Sequence, residues 1–120
     1  MAQYIDGFIL PIPKARLADY RRVATKAGKI WKEHGALGYF ECAGDDMKAD
    51  PMIPFPKLAK AKEDEVVIFA WAVFKSKAHR DKANKAIMKD ERLAAMCGET
   101  KGIVNCKRMA YGGFKTIVEL

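Results

Sequence analysis

Glu65-Val66-Val67-Ile68-Phe69-Ala70-Trp71-Ala72-Val73-Phe74 puts nine apolar residues in a row behind a single glutamate, and the run is rich in β-branched and aromatic types. That composition and length predict a strand. Successive side chains of a strand point to opposite faces, so Val66, Ile68, Ala70, Ala72 and Phe74 share one face and Val67, Phe69, Trp71 and Val73 the other. Both sets are apolar, and both faces therefore need a cover. A chain of 120 residues is read as one domain, residues 1–120, with material for a single core. One layer of helices covers only one face, so a second copy of the same chain is the expected cover for the other.

Working outward, Gln3 to Ile12 alternates Tyr4, Asp6, Phe8 and Leu10 with Ile5, Gly7 and Ile9, then meets Pro11 and Pro13. This reads as strand one, ended by prolines that cannot continue a ladder. Between Lys14 and His34, Leu17, Tyr20, Ala24, Ala27 and Trp31 recur at three- and four-residue steps, with the basic residues elsewhere, the pattern of an amphipathic helix. Pro13 and Gly35 suit its two boundaries, while Gly28 inside it costs about 1 kcal/mol relative to alanine. Leu37 to Asp46 reads as a second strand running into an acidic turn. Met47 to Lys62 carries Pro51, Pro54 and Pro56 and reads as an irregular excursion, with room for one helical turn, of a kind that often covers an edge or serves a function.

Beyond the central strand, Ser76 can cap a helix starting at Lys77, and the stretch from there reads as one helix or two, broken near Asp90 and closed by Gly98. Glu99 to Asn105 reads as a loop. Cys106 to Val118 reads as a fourth strand, with Gly112 and Gly113 marking a bulge or a close backbone approach. The order β-α-β-β-α-β defines an α+β fold, the ferredoxin-like split βαβ with a four-stranded antiparallel sheet and both helices on one face. Two such sheets packed face to face would bury the open apolar face in a homodimer, a dimeric α/β-barrel.

Composition narrows the function classes. Lys and Arg number 22 against 15 Asp and Glu, a net charge of +7 that suits either a solvated, lysine-rich surface or an acidic partner. Three cysteines, Cys42, Cys97 and Cys106, without Cys-x-x-Cys spacing point to reduced thiols in a cytoplasm. No run approaches the roughly 18–20 apolar residues of a membrane span. The N-terminus has no basic leader pattern.

Five ordered motifs also carry a resemblance: Tyr4-Ile5-Asp6-Gly7-Phe8; Glu41-Cys42-Ala43-Gly44-Asp45-Asp46; Val66 to Trp71; Ser76-Lys77-Ala78-His79-Arg80-Asp81 with Ala83-Asn84; and Lys107-Arg108-Met109-Ala110-Tyr111-Gly112-Gly113-Phe114. Together they resemble the YbaA-like bacterial proteins, domain-of-unknown-function family 1428, across essentially the whole chain. The resemblance implies a ferredoxin-like dimeric α/β-barrel and no established activity. Where the family pattern resembles Pro-Phe-Asp-Gly, this chain has Ile103-Val104-Asn105-Cys106.

For chemistry, Asp6 and Glu41 lie mid-strand, where a carboxylate is costly to bury without a partner. Arg108 is the expected partner, and Trp71 and Tyr111 are expected walls of a small-ligand pocket, which makes Asp6, Glu41, Trp71, Arg108 and Tyr111 the candidate site. A structural ion pair accounts for the same residues without any ligand. Cys42 has no histidine brought to it by the sequence and reads as a buried, inert thiol. His34 and His79 lack metal-ligand spacing, and Asp45, Asp46 and Asp50 read as a solvated turn, so neither a metal nor a cofactor is expected. Lys75, Lys77, Arg80, Lys82, Lys85 and Lys89 could form a phosphate-tracking stripe, though no aromatic residues interleave with them. Three readings follow: a homodimer binding a small organic molecule between sheet and helices, oxygenase- or isomerase-like by fold analogy alone; a non-catalytic structural or interaction protein; and a basic nucleic-acid binder.

Overall fold

The alternating and helical periods resolve, in a computed structural model that describes residues 2–120, into four strands and four helices. In chain order these are β1 (Tyr4–Pro13), α1 (Leu17–Glu33), β2 (Gly38–Ala43), α2 (Phe55–Ala59), β3 (Glu65–Phe74), α3 (Lys77–Met88), α4 (Glu91–Ala95) and β4 (Ala110–Lys115). The strands form one antiparallel sheet in the order β2-β3-β1-β4. The two-faced strand β3 is therefore central, flanked on both sides.

The register Asp6↔Ala72, Phe8↔Ala70 and Leu10↔Ile68 puts the even residues of β1 and β3 on one face. There Leu10, Ile12, Ile68 and Ala70 form one buried group with Ile103, and Ala72 and Phe74 join Ala83 and Ile87 of α3 in another. Val23 and Ile30 of α1 close the outer layer against Met96. Burying each such aliphatic side chain contributes about 1.5–3 kcal/mol, so this face carries the fold.

The opposite face is open. Phe40, Phe69 and Phe114 are exposed there, and Phe40 and Phe69 both pack on Trp71 with ring centroids 4.8 and 5.3 Å apart. The proline-rich excursion supplies α2, whose Phe55 stacks on Phe69 at 6.0 Å and covers one end of this face.

Several boundaries differ from the sequence expectation. β1 runs through Pro11 and Pro13, which pair with Val67 and Glu65, because β4 ends its pairing at Ile9 ↔ Ala110 and the prolines face a vacant edge. β2 stops at Ala43 rather than reaching Asp46. The fourth strand begins at Ala110 rather than Cys106. Residues Cys106–Arg108 form a 3-10 turn, capped where Lys107 N donates to Asn105 Oδ1 at 3.0 Å. An aspartate at this position would accept the same bond.

Ser76 caps α3 by accepting from His79 N at 3.1 Å, and Asp90 caps α4 by accepting from Arg92 N at 2.9 Å, so the second helical region is indeed two helices. Gly35 takes a φ of +118° just beyond α1, a left-handed conformation that favours glycine. Among the described residues no helix is long and apolar enough to cross a membrane.

Candidate functional site

The five residues singled out from sequence do not form one cluster. Asp6 and Tyr111 come together, Glu41 stands apart on the same face, Trp71 lies on the opposite face, and Arg108 sits in the turn before β4.

Asp6 is the most deeply buried charged residue, with 1% of its surface exposed. Its partners are Tyr111, whose hydroxyl donates to Oδ1 at 3.2 Å, and Asn84, whose amide donates to Oδ2 at 3.4 Å. Its counter-ion is Arg80 of α3, not Arg108. Arg80 Nε lies 3.4 Å from Asp6 Oδ1, an ionic approach without hydrogen-bond alignment, while Nη2 donates to Tyr4 Oη at 3.0 Å and the guanidinium lies 4.7 Å over the Tyr4 ring. Room for this arrangement comes from Gly113, opposite Asp6 in β4, where a Cβ would meet Arg80 and lie 2.7 Å from the Tyr4 ring. Burial, followed by the charge of Asp6, pushes the Tyr111 hydroxyl above its ordinary range. Arg80, read from sequence as part of a basic stripe on α3, is thus turned inward, and the stripe loses a member.

Arg108 grips Glu65 with two bonds of 2.7 and 2.8 Å and donates to the Lys60 carbonyl at 2.9 Å. That hydrogen-bonded pairing lowers the Glu65 carboxyl to about 2. It fastens the turn before β4 to the start of β3, beside a small depression of about 430 Å³.

Glu41 has a different setting. It is half-buried in β2, and two phenols bind it: Tyr20 of α1 donates to Oε1 at 2.7 Å and Tyr39 of β2 to Oε2 at 2.5 Å. Among the described residues it makes no salt bridge with Lys, Arg or His. Burial first, and the charge of Glu41 second, push both phenols far above the usual tyrosine range, so both stay protonated as donors. The carboxylate lines a groove of about 1050 Å³ between α1 and the edge strand β2. Leu17, Ala24, Ala43 and Ile68 give that groove apolar walls, while Arg21, Lys29 and Lys32 stand among its lining residues. Gly28, unfavourable for α1 by propensity, has its place here: a Cβ would lie 2.7 Å from the Tyr39 ring.

Sequence reasoning missed Tyr20, Tyr39 and Arg80. A signal existed for two of them. Tyr20 belongs to the inward period of α1, and Arg80, Ala83, Asn84 and Ile87 share one face of α3. A polar side chain on an inward face implies a buried partner.

Cys42, expected to be buried, is exposed instead, because it sits in the edge strand β2 on the open face of the sheet opposite Phe69; Cys97 and Cys106 are exposed too, and all three are free. Among the described residues no three His, Cys, Asp or Glu side chains come together to hold a metal ion.

The comparisons with known proteins can be set against this geometry. The family model of a protein of unknown function, DUF1428, matches residues 3–102. The chain belongs to this family. It is also 38% identical over 117 residues to the uncharacterized protein YbaA of Escherichia coli K12, covering 98% of each chain. Solved structures with the same fold include the NE2512 protein of unknown function from Nitrosomonas europaea, 12% identical with a TM-score of 0.58 and covering 100% of this chain and 94% of that one. The nipsnap family protein of unknown function Atu4242 from Agrobacterium tumefaciens is 17% identical with a TM-score of 0.58, covering 95% and 87%. At those identities the likeness concerns the fold alone.

Proposed function

We propose that this DUF1428 protein is a cytoplasmic homodimer that binds a small organic molecule in the groove between α1 and β2. The observation that carries the reading is Glu41: a carboxylate held by two phenols, without a salt-bridge cation, on the wall of a groove large enough for a metabolite. Ligand pockets typically measure about 300–1,000 Å³, are mostly apolar and hold a few convergent polar groups, and this groove has that make-up.

The dimer is a ferredoxin-like α/β-barrel formed by packing two open sheet faces together. The strand order β2-β3-β1-β4 with its connecting helices supports the ferredoxin-like assignment. The continuous aromatic face of Phe40, Trp71, Phe69 and Phe114 supports a second copy as its cover, because soluble monomers rarely expose apolar patches of this extent. Three exposed thiols free of disulfides suit a reducing compartment.

The test combines sedimentation with thermal shift. Trp71→Asp places a charge in the proposed interface and should convert the dimer to monomer; an intact dimer would refute the face-to-face packing. A panel of small metabolites should raise the Tm of the wild type, and Glu41→Ala should lose that response. A panel that shifts both proteins alike, or neither, would leave a non-catalytic interaction protein as the better reading.

A further inference from the structure

We infer that the ligand of the α1–β2 groove is a small organic acid with an apolar body and a hydroxyl or ammonium group remote from its carboxylate. The inference rests on the groove being the ligand site. It follows from counting the hydrogen-bonding capacity left at the inner wall and from the charge along the rim.

A tyrosine hydroxyl has one proton to donate. Tyr20 and Tyr39 both spend theirs on Glu41. What remains at this point of the wall is therefore acceptor capacity only: lone pairs on two phenol oxygens and on the carboxylate. An acceptor on a ligand, such as a carbonyl or an ether, finds no phenol proton free there, whereas an O–H or N–H finds four oxygens, two of the phenols and two of the carboxylate. Hydrogen bonds to an ionised acceptor are roughly twice as strong as neutral ones, and among the described residues no cation forms a salt bridge with Glu41.

The rim has the opposite character. Arg21 and Lys29 are exposed residues of α1 that line the groove two helical turns apart, and Lys32 lies one turn further on, with its ammonium donating to the Leu37 carbonyl at 3.0 Å. Glu33, which also lines the groove, is committed to Arg92. The free charge along this edge is thus positive, and it suits the anionic end of a ligand whose apolar body lies on the walls between rim and carboxylate.

Isothermal titration of the full-length protein with three matched compounds tests this: para-hydroxyphenylpropanoate, phenylpropanoate lacking the hydroxyl, and the amide of the hydroxylated acid. The hydroxy acid should bind at least about tenfold more tightly than either relative, since a site built around a ligand hydroxyl rejects the analogue lacking it. Glu41→Ala should erase its advantage over phenylpropanoate. Arg21→Glu combined with Lys29→Glu, both on exposed positions that leave the core intact, should erase its advantage over the amide. Equal binding of all three compounds, with backbone NMR shifts at Tyr39 and Glu41, would overturn the ligand class and keep the groove as the site. Absence of binding by all three, with the wild type folded by circular dichroism, would overturn both.

Discussion

Asp6 and Glu41 occupy the same face of one sheet, separated by the single strand β3, and each receives a tyrosine hydroxyl. They differ in what surrounds the carboxylate. Asp6 is sealed, held by Arg80, Asn84 and Tyr111, and its counter-ion is itself mostly withdrawn from solvent, with 17% of the side chain exposed. Glu41 has two phenols, no salt-bridge cation among the described residues, and a groove in front of it. A buried charge with its counter-charge in place is a finished structural unit. A half-buried charge without one, beside open space, is a site at which an incoming donor gains a charge-assisted bond. The same residue class on the same face of the sheet thus meets two settings, and the neighbours on the helices decide which.

The largest expected effect comes from breaking the sealed centre. Asp6→Asn keeps the shape and one oxygen to accept from Tyr111, but turns an amide donor toward the Asn84 amide and leaves the Arg80 guanidinium only the exposed Asp81, 3.3 Å from Nη1, as an anion. Removing one partner of a buried pair costs about 3–5 kcal/mol, and urea unfolding should show a loss of that size with an unchanged slope. A loss below about 1 kcal/mol, the range of exposed pairs, would mean that Arg80 reaches water, and the contrast with Glu41 would collapse.

Gly28→Ala tests the open centre from the helix side. Alanine gains about 1 kcal/mol of helix propensity, yet its Cβ would lie 2.7 Å from the Tyr39 ring, and overpacking of this kind costs about 1–3 kcal/mol. The expected outcome is a net destabilisation of up to about 2 kcal/mol, with displaced NMR shifts for Tyr39 and Glu41. A variant more stable than the wild type would show that Tyr39 has freedom to move, and that its bond to Glu41 does not fix the groove wall.

Much of this fold was legible in the chain because its elements are patterned locally. The two-faced run at Glu65–Phe74, the inward period of α1, Ser76 ahead of α3 and the proline-rich excursion each carry their cause within a few residues. The sites were less legible because their partners come from other elements. Arg108 seemed to belong with Asp6 only on the assumption that strand four starts at Cys106; once the capped turn at Asn105 delays the strand to Ala110, Arg108 leaves the ladder and meets Glu65 instead. Arg80 carried a clue in its spacing to Ala83, Asn84 and Ile87, but nothing local states that this face of α3 lies over Asp6. Strand alternation put Trp71 on one face of β3 but could not tell which of the two faces the helices would take, so the expected pocket wall lies on the face away from Asp6 and Glu41.

Glu65 supplies a third carboxylate against which to measure the other two. Its side chain is 8% exposed, but its partner Arg108 is more open at 28%. The pairing lowers the Glu65 carboxyl from 4.5 to about 2, so folding favours the ionised form. A depressed carboxylate contributes stability that is fully present above its unfolded value and is lost as the pH falls through the folded one. The margin of the wild type over Glu65→Gln should therefore be constant above about pH 5 and shrink steadily between 4.5 and about 2. Chemical denaturation of both proteins across that window measures it. A margin that stays constant through the window would show that the Arg108 grip on Glu65 contributes shape rather than charge, leaving Asp6 as the protein's one electrostatically anchored strand carboxylate among the three compared.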